Sequence, residues 1–226
     1  MTALFGKDRV CGVVAARTKA EADRAMLAAL RETRTVELRL DWLENRAEIA
    51  KALSWLAAKR KGSARLGATI VATCRQREAG GKFEGTIHEQ VEILRAAADA
   101  GCHWLDLEIE TAEKISKAEL TGLRRKARVM ISYHNFRETP AGLASVRARL
   151  ERVGGDAIKI AANAKTYRDA SRLLEFARKS RRCVVVPMGD ATAAARILAL
   201  RSGSALTLFN GRGGEYAGAI AAAHGG

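Results

Sequence analysis

The chain has 226 residues, of which 48% are apolar and only two are proline, so it can bury a sizeable core and is expected to form one domain, residues 1–226. The formal net charge of +14 would suit a nucleic-acid partner, but aromatic residues make up only 5% of the chain, too few for a base-stacking surface. No apolar run reaches membrane-spanning length and the first residues lack the apolar segment of a signal peptide, so we expect a cytoplasmic location without membrane attachment.

Strand-like and helix-like segments alternate along the chain. Apolar runs typical of strands lie near residues 9–16, 35–43, 67–75, 102–110, 128–136, 156–164, 182–189 and 204–210. The segments between them are rich in Ala, Leu and Arg with helical periodicity, and the last is the short stretch Ala219 to Ala223. Eight units of about 28 residues predict a (β/α)8 TIM barrel within the α/β class.

Short signals mark where several of these helices begin and end. Thr18 with Glu21 and Thr86 with Glu89 have the spacing of capping boxes. Glycines at the predicted helix ends, and the basic clusters near residues 59–61, 124–126 and 178–182, agree with these boundaries, since cations are favoured at helix C-termini. The basic clusters therefore have a structural explanation that needs no nucleic acid.

Ionisable side chains recur in the predicted strands, in phase with one face. They are Glu37, Arg39 and Asp41, then Arg75, Asp106, Glu108, His134 and Lys159. An exposed antiparallel sheet would explain the alternation, but the repeating strand–helix order does not fit it. A doubly wound open sheet would set these charges against helices, whereas a barrel brings them together at one mouth, where barrel active sites form.

The most informative of these residues is Lys159, an amine within the apolar run from Ala157 to Ala162. A confined lysine is a candidate nucleophile towards carbonyl carbon, the usual chemistry of Schiff-base lysines. The four histidines show no ligand spacing typical of zinc, and the four cysteines are widely separated, which is typical of reduced core residues. Nothing in the sequence requires a metal or an organic cofactor.

Taken in order, the motifs resemble those of type I 3-dehydroquinate dehydratase. The resemblance covers most of the chain and rests on the following ordered set: Glu37, Arg39 and Asp41; Arg75 with Gly80 and Gly81; Asp106 and Glu108; Ser132 and His134 with Thr139 and Pro140; Lys159; and Met188 with Arg196.

The resemblance implies roles for particular residues in a step of the shikimate pathway of aromatic amino acid biosynthesis. Lys159 would form an imine with the C3 ketone of 3-dehydroquinate, and His134 would act first as base and then as acid. The substrate, a small anionic hydroxylated ketone, would be bound through Arg75 and Arg196, with Arg196 at the carboxylate. Glu37 and Arg39 would hold the ring hydroxyls. Asp106 and Glu108 are assigned to charge balance.

The chain departs from the family pattern at two places. The family usually has Ser-x-Pro-Gly-Gln after the last strand, whereas this chain has Glu215 to Ala219, and Ala79 stands where the family has a glutamate. In the family's register Glu215 would approach a bound carboxylate, a repulsion of roughly 4 kcal/mol at 4 Å.

These departures keep two alternatives open. One is another imine-forming barrel, such as an aldolase that binds phosphate at the glycines between Asn210 and Gly214; the other is a non-catalytic ligand-binding homologue. The subunit number is also open, with a homodimer among the alternatives.

Overall fold

The structure is a computed structural model that describes residues 4–5, 9–61, 67–180, 182–189 and 192–210. Its eight strands are β1 (Val10–Val14), β2 (Thr35–Arg39), β3 (Thr69–Thr73), β4 (Trp104–Glu108), β5 (Arg128–Asn135), β6 (Ala157–Asn163), β7 (Cys183–Met188) and β8 (Thr207–Asn210). The α-helices in the described ranges are α1 (Lys19–Glu32), α2 (Arg46–Lys61), α3 (Ile87–Asp99), α4 (Ile109–Ala112), α5 (Lys117–Arg124), α6 (Leu143–Val153), α7 (Tyr167–Lys179) and α8 (Thr192–Arg201).

All the strand pairs are parallel, and the strands follow one another in the order β7-β6-β5-β4-β3-β2-β1-β8. The two edges of this sheet meet, because Ala205 N donates to Cys183 O at 2.7 Å and Val185 N donates to Ser204 Oγ at 2.9 Å. The sheet is therefore a nearly closed (β/α)8 barrel, as predicted, and the doubly wound alternative is wrong.

The local signals at helix ends are mostly confirmed. Thr86 and Glu89 form a complete capping box, while Thr18 caps α1 through its side chain and Glu21 turns its carboxylate to Arg17 N instead. Gly154, with φ +85°, ends α6 in the left-handed conformation that favours glycine. Described residues of the basic clusters, Lys59, Arg124 and Lys179, lie at the ends of α2, α5 and α7, where the macrodipole favours them.

Side chains alternate between the two faces of each strand, so the barrel has two apolar layers. Residues such as Leu38, Leu107 and Ile160 pack outward against the helices, and a second cluster with Val71 and Met130 fills the barrel interior. Further members of the interior cluster are Phe5 and Trp104, whose ring centroids are 4.4 Å apart. The remaining inward positions, towards the carboxyl ends of the strands, carry polar and charged side chains.

Several strands end earlier than the sequence indicated, and in β2 and β3 this changes the setting of predicted site residues. β2 stops at Arg39, and Leu40–Trp42 forms a 3-10 helix, so Asp41 does not continue the strand alternation as predicted. β3 stops at Thr73, two residues before Arg75. In the part of the chain that the structure describes, no helix combines the length and the apolar character needed to cross a membrane. The predicted loop Gly211 to Gly214 and stretch Ala219 to Ala223 lie outside the described residues.

Candidate active site

One cavity of about 230 Å³ lies at the carboxyl ends of the strands. The six side chains to which the resemblance assigns catalysis or substrate binding all line this cavity: Glu37, Arg39, Arg75, His134, Lys159 and Arg196. The charged wall comes mainly from β2 to β6, and the apolar lining, which includes Val13, Val186 and Leu208, comes from β1, β7 and β8. The cavity can thus hold a small molecule with charged groups on one side.

Lys159 lies inside the barrel because of the phase of β6. Its neighbours two residues away, Ala157 and Ala161, belong to the interior cluster, whereas Ile158 and Ile160 pack against the helices. The side chain of Lys159 is only about 5% exposed, so the amine is enclosed but still reaches the cavity. Ala161 also lines the cavity, and its small side chain leaves the space beside Nζ open.

Asp106 on β4 connects the charged residues of the cavity wall. Its Oδ2 accepts from Lys159 Nζ at 2.7 Å and lies 3.0 Å from Arg75 Nη2, and its Oδ1 accepts from Ser132 Oγ at 2.5 Å. Burial disfavours its ionised form, but the charges of Arg75 and Lys159 outweigh burial and hold the pKa of this carboxyl below its usual value. Asp106 is therefore an anion paired with two cations.

Glu37 is the second carboxylate beside the lysine. Its Oε1 lies 3.7 Å from Lys159 Nζ and accepts from Thr73 Oγ1 at 2.6 Å. Burial raises the pKa of Glu37, but Lys159 and Arg39 lower it by more, so its net pKa lies below the ordinary value. A positive charge at Lys159 Nζ is thus stabilised from two strands.

His134 lies next to Arg75. Arg75 Nη1 is 2.6 Å from both ring nitrogens of His134, and the imidazole stacks on Phe136 with ring centroids 6.1 Å apart. Burial, followed by the charges of Arg75 and Lys159, lowers the pKa of His134 well below its usual value. The neutral imidazole, the form that can accept a proton, is therefore favoured.

Arg39 and Arg196 reach the cavity by different routes. Arg39 ends β2, and Asp41 in the following turn accepts from its Nε at 2.9 Å and its Nη2 at 2.7 Å. Arg196 lies on α8 rather than on a strand, and its guanidinium donates to the carbonyl oxygens of Pro187 and Leu208, both at 3.2 Å. Helix α8 thus supplies a cation to the side of the cavity that the strands leave apolar.

Sequence reasoning missed or undervalued several residues. The pairing of Asp106 with Lys159 and Arg75 fits the charge balance assigned to it, but its central place between them was not predicted. Asp41 was placed on a strand instead of in a turn that holds Arg39. Phe136, beside the histidine, was not singled out. Buried Gln90 was also missed, although it occupies a core-facing position of α3 between Ile87 and Leu94, which is a readable signal.

Of the two places where the chain departs from the family pattern, the one at Ala79 lies in the described residues. Glu78 and Ala79 lie in a 3-10 helix, Arg77–Ala79, and the side chain of Glu78 is exposed. Glu215 to Ala219 lie outside the described residues. No group of three His, Cys, Asp or Glu side chains arranged to hold a metal ion occurs in the described part of the chain.

A (β/α)8 barrel with a buried lysine and an imidazole at its carboxyl mouth defines the class: a barrel enzyme with a lysine at the centre of its site. The sequence model of the type I 3-dehydroquinase family matches residues 10–224. A 3-dehydroquinate dehydratase of Coxiella burnetii is 31% identical over 210 residues, which cover 90% of this chain and 84% of the relative. A 3-dehydroquinate dehydratase of Methanothermobacter thermautotrophicus is 32% identical over 181 residues, which cover 79% of this chain and 76% of the relative.

The chain therefore belongs to the type I 3-dehydroquinase family, a family of carbon–oxygen lyases, and the resemblance in its motifs is confirmed. The crystal structure of 3-dehydroquinate dehydratase from Geobacillus kaustophilus agrees with a TM-score of 0.80 over 92% of this chain and 85% of that one. At 21% identity this agreement supports the fold alone.

Proposed function

We propose that the chain dehydrates 3-dehydroquinate to 3-dehydroshikimate, a step of the shikimate pathway, through an imine on Lys159. The observation that carries the proposal is the arrangement around Lys159 Nζ, with Asp106 at 2.7 Å and Glu37 at 3.7 Å, in a cavity that His134 also lines. Family membership supports the substrate, and the geometry supports the roles that we propose for the residues.

The proposed reaction has four steps: imine formation, C2 deprotonation, loss of the C1 hydroxyl and imine hydrolysis. Lys159 Nζ attacks the C3 ketone and water leaves, which gives a protonated imine. His134 takes a proton from C2, and the electron pair of that bond is delocalised towards the imine. The C1 hydroxyl then departs as water with a proton from His134, and a second water hydrolyses the imine to release 3-dehydroshikimate and Lys159.

The remaining side chains bind and orient the substrate. Arg196 pairs with the carboxylate, and Arg75 contributes a second cation beside His134. Glu37 and Arg39, the latter held by Asp41, bind ring hydroxyls. Asp106 and Glu37 stabilise the positive charge at the imine nitrogen. None of these steps requires a metal or an organic cofactor.

We also infer a cytoplasmic enzyme whose partner is a small molecule rather than a nucleic acid. The cysteines support a reducing compartment, since all four are buried and free. Sedimentation analysis would distinguish a monomer from a homodimer. Salt-dependent binding to DNA or RNA at physiological ionic strength would contradict the small-molecule assignment.

The decisive experiment is borohydride trapping with 3-dehydroquinate, followed by peptide mass mapping. The expected result is a covalent adduct on Lys159 in the trapped sample, together with a rise in ultraviolet absorbance from the enone product in the untrapped reaction. Lys159→Met should abolish both signals. The matched control is Lys126→Met, which removes a surface lysine paired with Asp99 and should leave both signals intact.

The same experiment separates the alternatives. Adducts with other anionic ketones, and none with 3-dehydroquinate, would support a different imine-forming lyase or aldolase. Binding of an anionic ketone without an adduct or turnover would support a non-catalytic homologue. Either result would overturn the proposed reaction.

A further inference from the structure

Arg75 is placed accurately although it lies beyond the end of its strand. The last register pair of β3 with β4 joins Thr73 and Asp106, so the strand ladder ends before Arg75. Nevertheless Arg75 is only 3% exposed, and its guanidinium contacts both Asp106 and His134. Other groups must therefore fix the backbone at this residue.

Two buried side chains bind the peptide groups on the two sides of Arg75. Gln90 Nε2 donates to Cys74 O at 2.6 Å, and Glu108 Oε1 accepts from Gln76 N at 2.7 Å. The two side chains also bind each other, since Gln90 Nε2 donates to Glu108 Oε1 at 2.9 Å. Together Gln90 and Glu108 form a clamp from α3 and β4 around Arg75, two residues beyond the end of β3.

A third contact completes the support. Phe83 N donates to Arg75 O at 3.0 Å, and this close approach requires glycine at position 81, where a Cβ would lie 2.0 Å from Arg75 O. The loop after β3 therefore folds back onto the same peptide group that Glu108 holds from the other side.

The clamp has features that packing alone does not explain. Gln90 and Glu108 are fully buried, and Gln90 occupies a helix position where an apolar side chain would satisfy the core. Thr111 Oγ1 donates to Gln90 Oε1 at 2.7 Å, which fixes the orientation of the amide. Because buried polar groups are costly unless they are hydrogen-bonded, a network that pairs both the Gln90 amide and Glu108 Oε1 at this place indicates a positional requirement.

We propose that Gln90 and Glu108 are positioning residues that hold the backbone at Arg75 and thereby fix its guanidinium between Asp106 and His134. The inference rests on the proposed function in one respect, namely that Arg75 contacts the substrate. A misplacement of about 1 Å at a reacting group can lower the rate by about 100-fold, so a small shift of this backbone would be measurable.

The test compares variants that remove the clamp with one that keeps it. Gln90→Leu and Glu108→Ala should raise the KM for 3-dehydroquinate about tenfold and lower kcat. Glu108→Gln should stay within about threefold of wild type, because the retained Oε1 still accepts both hydrogen bonds. The other oxygen, Oε2, has no hydrogen-bond partner in the described structure, so its replacement by an amide nitrogen removes no contact.

The matched control is Ser204→Ala. Ser204 is fully buried, and its Oγ donates to Leu206 O and accepts from Val185 N, far along the barrel axis from the mouth. A variant that is merely less stable has fewer active molecules, which lowers the apparent kcat but leaves KM unchanged. Ser204→Ala should show this behaviour. If Gln90→Leu does not fold, Gln90→Asn, too short to reach both partners, replaces it.

The outcomes separate the inference from the proposed function. An unchanged KM in Gln90→Leu and Glu108→Ala would overturn the inference. It would also be overturned if Glu108→Gln were as impaired as Glu108→Ala, since the charge of Glu108 and not its hydrogen bonds to the backbone would then matter. No turnover by wild type would refute the proposed function instead. In that event, nitrogen NMR of the Arg75 guanidinium, which needs no substrate, should still change in Gln90→Leu; an unchanged spectrum would overturn the positioning role.

Discussion

Replacing Asp106 by Asn should destabilise the fold strongly while hardly changing its shape. Asn has nearly the same volume and can still accept from Ser132 Oγ, but it cannot balance the charges of Lys159 and Arg75. Both cations are buried, with side chains 5% and 4% exposed. Removing one partner of a buried ion pair costs about 3–5 kcal/mol, so we expect the free energy of unfolding to fall by about this amount.

The assay is urea unfolding at neutral pH with the four proteins of a double-mutant cycle: wild type, Asp106→Asn, Lys159→Met and the double variant. The double variant removes one charge of each sign and restores the balance of the cavity. It should therefore be more stable than the sum of the single losses predicts, by at least about 1 kcal/mol. Additive losses, or an Asp106→Asn variant within about 1 kcal/mol of wild type, would refute the reasoning.

The pH dependence of the stability difference between wild type and Asp106→Asn tests the same reasoning. Folding lowers the pKa of Asp106, so its ionisation adds stability that is fully present above the unfolded pKa, about 4. This contribution is lost as the pH falls through the folded pKa. The stability gap between wild type and Asp106→Asn should accordingly be widest near neutral pH and should narrow in acid.

Two further predictions concern the histidine. Gly80→Ala should lower the free energy of unfolding by about 1–2 kcal/mol, because φ at this residue is +78°, and it should impair turnover, because the new Cβ would lie 2.3 Å from the Phe136 ring. The control is Gly154→Ala, where φ is +85° and the space is open. It should lose similar stability in urea unfolding without a change in turnover. NMR titration should give His134 a pKa below 6.5, and Arg75→Met should raise it, since Arg75 is the largest cause of the lowering after burial; an unchanged value would show that burial alone is responsible.

Much of the barrel was readable because its signals are local. The alternation of apolar runs with helical segments predicted the eight strands, and capping residues such as Thr86 and helix-ending Gly154 predicted boundaries within a few residues. The phase of Lys159 along β6 and of Glu37 along β2 predicted that both side chains point into the barrel, where the site forms. The six residues chosen from the sequence accordingly line one cavity.

The errors arose where contacts between distant segments decide the conformation. Whether Asp41 continues β2 depends on its hydrogen bonds to Arg39 and to Lys82 N, which no periodicity encodes. The central position of Asp106 depends on Lys159, 53 residues away in the chain. Likewise, the clamp on Arg75 requires α3 and β4 to meet beyond the end of β3. Such roles follow from the packing of elements, not from the pattern within any one of them.

The arrangement of charge explains why a carboxylate pair suits lysine chemistry at this site. A lysine ammonium and a protonated imine carry their positive charge at the same atom, Nζ, which lies 2.7 Å from Asp106 Oδ2 and 3.7 Å from Glu37 Oε1. In the proposed reaction both carboxylates would therefore stabilise the imine with the contacts already present in the free protein, without reorganisation of the site. In the proposed reaction the protonated imine is also the electron sink for C2 deprotonation, so the network that balances the buried lysine in the free protein would keep the imine in the protonated form that this step needs.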